Sequence, residues 1–121
     1  MIKYIVKIFY LQKGDIIMAI QHLTKQDYDN EVTRSNVPVL IDFYADWCGP
    51  CKMATPMLEE LATEIGESAK IRKVNVDEEP DLASKFGVMS IPTFVVLKDG
   101  KLDSKVTGLC RKEDLKKMLG V

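Results

Sequence analysis

Residues 37–52 read Val37-Pro-Val-Leu-Ile-Asp-Phe-Tyr-Ala-Asp-Trp-Cys-Gly-Pro-Cys-Lys52, and the two halves of this stretch ask for different structures. Val37 to Ala45 is a near-continuous apolar run rich in β-branched and aromatic side chains, which suits a central strand buried on both faces. Only Asp42 breaks it with a charge. Beyond Trp47-Cys48-Gly49-Pro50-Cys51-Lys52 the apolar residues Met57, Leu58, Leu61, Ala62 and Ile65 fall at helical spacing. A helix is therefore expected from near Cys51 to about Ile65, stopped by Gly66. Pro56 should kink it by removing one N–H and crowding the preceding turn. The two cysteines thus sit where a central strand hands over to a helix.

That junction carries chemistry. Cysteines at i and i+3 at a helix start can close a small disulfide ring. The first meets unpaired N–H groups and the positive end of the helix dipole, which favour a thiolate. Cys48 is then the nucleophile and the exposed member of the pair, and Cys51, one turn in, is the resolving thiol. Pro50 limits backbone freedom and holds the pair close, while Gly49 lets a substrate backbone approach. Two plainer readings stay open at this point: a structural disulfide, or half of a zinc site. Zinc would need Cys48, Cys51, Cys110 and the single histidine, His22, to converge, which their spacing does not favour.

Composition excludes other classes. The chain has 121 residues, a length of one ordinary domain, with 46% hydrophobic and 29% charged residues, unlike a disordered chain. Lys and Arg number 17 against 18 Asp and Glu, a net charge of −1 that argues against a nucleic-acid binder. No apolar run is long enough to span a bilayer. One histidine leaves a hydrolase a single candidate base, and three cysteines are too few, and odd in number, for a disulfide-stapled secreted scaffold.

Outward from the central strand, strand-like and helix-like stretches alternate. Ala19 to Leu23 is a short strand candidate, and Thr24-Lys-Gln-Asp27 is a capping signal for a helix over Lys25 to Arg34. Ala69 to Val76 alternates as a strand. Pro80 to Phe86 is a short helix opened by proline and closed by Gly87. Thr93 to Leu97 is a strand, Asp99-Gly100 a strong hairpin signal, and Lys101 to Thr107 the returning strand. Arg111 to Leu119 closes the chain as an amphipathic helix. The order βαβαβαββα implies an α/β fold with a central mixed sheet, parallel at the crossovers, antiparallel at the hairpin, and helices on both faces.

Residues 1–17 read differently. Lys3 and Lys7 interrupt an apolar stretch that lacks a small-residue cleavage site, so a signal peptide is not expected. Lys13-Gly14-Asp15 can be encoded with a purine-rich AGGAG shortly before the codon for Met18, as in a translated ribosome-binding site. The expectation is a non-native or flexible extension over 1–17 and a domain over 18–121.

The motif WCGPCK, preceded by Asp42-Phe-Tyr-Ala45 and followed by Ser90-Ile91-Pro92-Thr93, resembles the thioredoxin family, without an obvious gap from about Ala19 onward. The resemblance implies the thioredoxin fold and a general protein-disulfide reductase acting on disulfide-containing clients. It implies re-reduction by thioredoxin reductase, an NADPH-dependent flavoprotein, no bound cofactor beyond the redox-active Cys48–Cys51 disulfide, and a cytoplasmic monomer. It places Asp42 as the buried acid that handles the proton of Cys51. Burial in the apolar run would raise its pKa toward a range useful to a general base, directly or through a water. On residues alone Asp42 could also be a strand-end carboxylate facing solvent. Lys73 matches the ammonium group that partners this acid, and on residues alone could equally be a surface lysine.

Ile91-Pro92 matches the family's cis-proline, a turn that would offer Ile91's backbone to an extended substrate. Trp47, Gly49, Pro50, Ile91, Gly108 and Leu109 would form a shallow apolar platform around Cys48. Tyr44 stands where many relatives carry a second tryptophan. Met89 is either a soft contact for varied partners or core filling. Cys110 has no CxxC partner and reads as a minor thiol or a small buried residue, with regulatory oxidation or dimer formation left open. His22 reads as packing or surface. Two other functions share the fold. An exported thiol oxidase or isomerase would need residues 1–17 to direct export, and a partner-binding subunit would make the dithiol incidental. Gly49-Pro50 adds no positive side chain to stabilise the Cys48 thiolate, which favours the reductant.

Overall fold

A computed structural model describes residues 20–121; the segment 1–17 and the candidate start at Met18 lie outside the described residues. The elements are β1 (Gln21–His22), α1 (Asp29–Thr33), β2 (Val39–Tyr44), α2 (Gly49–Ile65), β3 (Lys70–Asn75), α3 (Pro80–Lys85), β4 (Thr93–Lys98), β5 (Lys101–Thr107) and α4 (Lys112–Leu119). They form one five-stranded sheet in the order β1-β3-β2-β4-β5. β1 and β2 run parallel to β3, while β4 lies antiparallel to β2 and to β5. This is the mixed sheet, with the element order, that the sequence implied.

The apolar run of β2 is central because it has side chains for both faces. On one face Leu40, Ile71, Phe94 and Val96 pack against α2 and α4 through Leu58, Leu61 and Leu115. On the other Ile41, Phe43, Val74 and Val95 meet Val32 of α1, Leu82 of α3 and Phe86. Lys112 of α4 pairs with Glu60 and Glu64 of α2, and Lys116 reaches Glu64 at 3.1 Å, so the two helices on one face are also tied by charge. The β4–β5 hairpin turns at Asp99 and Gly100, with φ of 53° and 75°; both central residues take the left-handed backbone that a tight two-residue hairpin needs.

Two elements are shorter than the sequence implied. The helix expected over Lys25–Arg34 is regular only at Asp29–Thr33, where the Arg34 N–H reaches back five residues to the Asp29 carbonyl at 3.0 Å. Its capping signal instead closes a turn: the Asp27 N–H donates to Thr24 Oγ1 at 3.2 Å, while the Lys25 N–H donates to Glu79 across the fold at 3.0 Å. Val32 is the one buried residue in α1, too little apolar contact to hold a longer helix. Of the strand expected over Ala19–Leu23, Ala19 lies outside the described residues and β1 takes Gln21–His22, although the Leu23 N–H still donates to the Lys73 carbonyl at 2.8 Å. α2 begins at Gly49, earlier than the expected start near Cys51, because Pro50 has the backbone angle of a first helical turn. It runs unbroken through Pro56 to Ile65.

Candidate active site

The end of β2 delivers the chain to the sheet's rim, and Cys48 caps α2 there. Its backbone is extended, its N–H donates to the Ala45 carbonyl at 3.1 Å, and its sulfur accepts from the Cys51 N–H at 3.2 Å. Cys48 and Cys51 are joined as a disulfide, with Cα atoms 5.3 Å apart. A sulfur at a helix N-cap lies among amides that no carbonyl of the helix can satisfy, where negative charge is stabilised. Each cysteine therefore has a distinct place: Cys48 at the cap, Cys51 inside the first turn.

One expectation is corrected. Cys48 is not the exposed member: it is 4% exposed against 3% for Cys51. In this bonded state both pack with Ala45, and Tyr44, Val76 and Ile91 close over them. Solvent meets the rim instead, where Trp47 is 71% exposed and Met89 95% exposed. Met89 therefore does not fill the core. Beside the disulfide lies an open groove of about 430 Å³, lined by Trp47, Val76, Val88, Met89, Ser90 and Ile91.

The loop opposite the disulfide is built by hydrogen bonds. The Ile91–Pro92 bond is cis, Thr93 Oγ1 donates to the Ser90 carbonyl at 2.6 Å, and the Gly108 N–H donates to the Pro92 carbonyl at 2.8 Å. Gly108, at φ 91°, brings half-exposed Leu109 to the same end of the sheet. The Ile91 carbonyl oxygen lies 3.9 Å from the Cys48 sulfur. Gly49 and Pro50 are exposed at the head of α2, and no atom lies within 4 Å of the place a Cβ on Gly49 would take. Of the expected platform residues, Trp47 and Ile91 line the groove; Gly49, Pro50, Gly108 and Leu109 are not among its lining residues.

The anchor of Trp47 escaped the sequence reading. After β3 the Asp77 N–H donates to Asn75 Oδ1 at 2.9 Å, forming a side-chain turn, and Asp77 Oδ2 then accepts the Trp47 indole N–H at 2.9 Å. The Asn75-Val76-Asp77 spacing holds the turn signal. Nothing in one dimension says that Trp47 comes to meet it.

Asp42 lies in β2 on the face that α2 covers and is 1% exposed, so it is no solvent-facing strand end. Its Oδ1 has no hydrogen-bond partner. Removal from water disfavours the charge and pushes its pKa up to about 6, while Lys73 pulls the other way. Lys73 is the register partner of Asp42 on β3 and is half-buried, with its ammonium 4.4 Å from the centre of the Tyr44 ring. His22, exposed on β1, meets the Tyr44 hydroxyl at 3.2 Å through Nδ1. Cys110 is a free, partly buried thiol whose pKa is raised by that burial and, secondarily, by Asp114. Among the described residues no three His, Cys, Asp or Glu side chains gather as metal ligands, and no helix is long and apolar enough to cross a membrane.

Comparison with known proteins places this arrangement. The thioredoxin family profile matches residues 19–120. A thioredoxin of Staphylococcus aureus is 51% identical over 102 residues, covering 84% of this chain and 96% of that protein. A thioredoxin of Rickettsia bellii is 40% identical over 94 residues, 78% of this chain and 90% of its own length. Thioredoxins need no prosthetic group, because the exchanging sulfurs belong to the chain. With the bonded pair at the head of α2 as its redox centre, this protein is a protein-disulfide oxidoreductase working by thiol–disulfide exchange, and the chain belongs to the thioredoxin family.

Proposed function

We propose that the protein is a general cytoplasmic reductant of client disulfides, working as a monomer and recharged from NADPH by thioredoxin reductase. The observation that carries the reading is a disulfide at the N-cap of α2 together with a buried carboxylate, Asp42, on the face of β2 that the same helix covers.

In the reduced protein the Cys48 thiolate, held by the amides of α2, attacks one sulfur of a client disulfide. A mixed disulfide forms between Cys48 and the client, and the other client sulfur leaves as a thiolate. Cys51 gives its proton to the Asp42 carboxylate, directly or through a water, and its thiolate attacks the Cys48 sulfur. The Cys48–Cys51 bond forms, and the second client sulfur leaves. The client has then gained two electrons and its thiolates take protons from solvent, while Asp42 returns its own. The reductase, by the reverse exchange, restores the dithiol.

Asp42 suits that task because its proton affinity lies nearer neutrality than that of an ordinary carboxylate. Lys73 keeps the charged form within reach. Trp47, Gly49, Pro50, Ile91, Gly108 and Leu109 form the apolar rim that receives the client, and the Ile91 backbone before Pro92 aligns the chain on either side of its cystine.

Trapping tests the assignment. Cys51→Ser, reduced and mixed with a disulfide-bonded protein such as insulin, should accumulate a covalent adduct through Cys48, read by mass under non-reducing conditions. Cys48→Ser should give none, and both should lose turnover in an assay following NADPH consumption with a thioredoxin reductase. An adduct formed by Cys48→Ser but not by Cys51→Ser would reverse the roles.

A further inference from the structure

Lys73 faces Asp42 across the sheet yet makes no ion pair with it. In the parallel pairing of β2 with β3, Asp42 stands directly across from Lys73, on the same face of the sheet. Asp42 Oδ1 nevertheless has no partner. The ammonium instead rests over the Tyr44 ring, 4.4 Å from its centre, two residues along β2 and nearer the rim. The ring itself is held. Its hydroxyl meets His22 Nδ1 at 3.2 Å, and the two rings stack edge to face with centroids 5.9 Å apart. His22 in turn is the register partner of Lys73 in β1. Three strands therefore converge on one lysine: β3 carries it, β2 supplies its aromatic seat and β1 steadies that seat.

A cation over an aromatic face keeps part of its hydration and is still attracted by the ring. An ammonium drawn down to a buried carboxylate loses its water but gains direct charge pairing. We propose that Tyr44 is a positioning residue whose ring holds the Lys73 ammonium short of a direct ion pair with Asp42, and so preserves the acid's capacity to take a proton from Cys51. This rests on the reading that Asp42 serves as that base. The other groups nearby do not supply the same control. Asp46 and Glu78 act on the Tyr44 hydroxyl, and Asp42 itself bears on it too. β4 brings Phe94 opposite Asp42, without charge. α2 brings Cys48 and Cys51, which do not titrate while bonded.

The test is the titration of Asp42 in the oxidised protein, followed by the carbon chemical shift of its carboxyl in an NMR pH series, with Asp42→Asn assigning the resonance. Tyr44→Leu removes the seat and lets the ammonium fall onto Oδ1. The Asp42 midpoint should drop by about one pH unit or more. Tyr44→Phe and Tyr44→Trp keep an aromatic face and should leave the midpoint where the parent has it. In a Lys73→Met background Tyr44→Leu should cause no further drop, which separates release of the lysine from mere entry of water. An unchanged or raised midpoint in Tyr44→Leu would overturn the proposal. So would an equal drop in Tyr44→Phe, or a drop that survives Lys73→Met. No turnover is involved, so failure here leaves the role of Asp42 as base untouched. That role is tested separately by whether Asp42→Asn slows release of the trapped client.

Discussion

Replacing Asp42 by asparagine should make the protein more stable, and only above acidic pH. In the folded chain Asp42 titrates at about 6 against 3.8 for an unhindered aspartate, mainly because burial disfavours its charge. At about 1.4 kcal/mol per pH unit, that difference corresponds to about 3 kcal/mol. The sign follows from proton binding. Between the two values the native state holds a proton that the unfolded chain has already lost, so the stability fully present below about pH 4 is lost as pH rises through 6. Above that the native protein carries a buried carboxylate whose Oδ1 accepts no hydrogen bond from the protein. Asparagine cannot titrate, so whatever fixed cost its amide brings is the same at every pH. Urea unfolding of oxidised parent and Asp42→Asn, from about pH 4 to pH 8, should show the variant's advantage growing by about 3 kcal/mol. An advantage that stays flat across that range would mean that Asp42 is not destabilised by burial. One that shrinks with rising pH would mean that Lys73 outweighs desolvation.

Two further changes probe the scaffold. Leu58, fully buried in α2 against the β2 face, should cost about 2–5 kcal/mol as Leu58→Ala, read as a lower urea midpoint. A loss below about 1 kcal/mol would show that the α2 packing is not as close as described. Gly100→Ala places a Cβ 2.9 Å from the Thr33 carbonyl oxygen at φ 75°, so it should lose more than about 1 kcal/mol by the same measurement. A neutral Gly100→Ala would mean that the hairpin and the end of α1 do not meet.

The sequence is most legible where a local pattern and tertiary demand agree. The run Val37–Ala45 suited a strand buried on both faces, Asp99-Gly100 was a strong hairpin signal, and the cysteine pair between strand and helix pointed to thiol chemistry. Legibility fails where distant residues compete for a local signal. Thr24 and Asp27 look like the start of a helix, but Glu79 takes the Lys25 amide and the segment turns instead. Cys48 at a helix start looks exposed, yet the bonded sulfur is covered by Ile91 and Val76, from loops far along the chain. Tyr44 was visible only as a replacement for tryptophan; its contact with Lys73 depends on the register of β2 on β3. Trp47 likewise needs Asp77, thirty residues away, to fix its indole. Strand register and loop meetings are properties of the folded sheet, and no window of sequence contains them.

Whether the Cys48–Cys51 pair is a reducing dithiol is read from its reduction potential. The protein is equilibrated in graded thiol/disulfide buffers and its alkylated cysteines are counted by mass. Thioredoxins poise near −270 mV, and a value close to that is expected for this pair. A value well above about −200 mV would contradict it and make the protein an oxidase or isomerase. A pair that never exchanges would leave the apolar groove beside Trp47 as a binding surface and the disulfide as a structural brace.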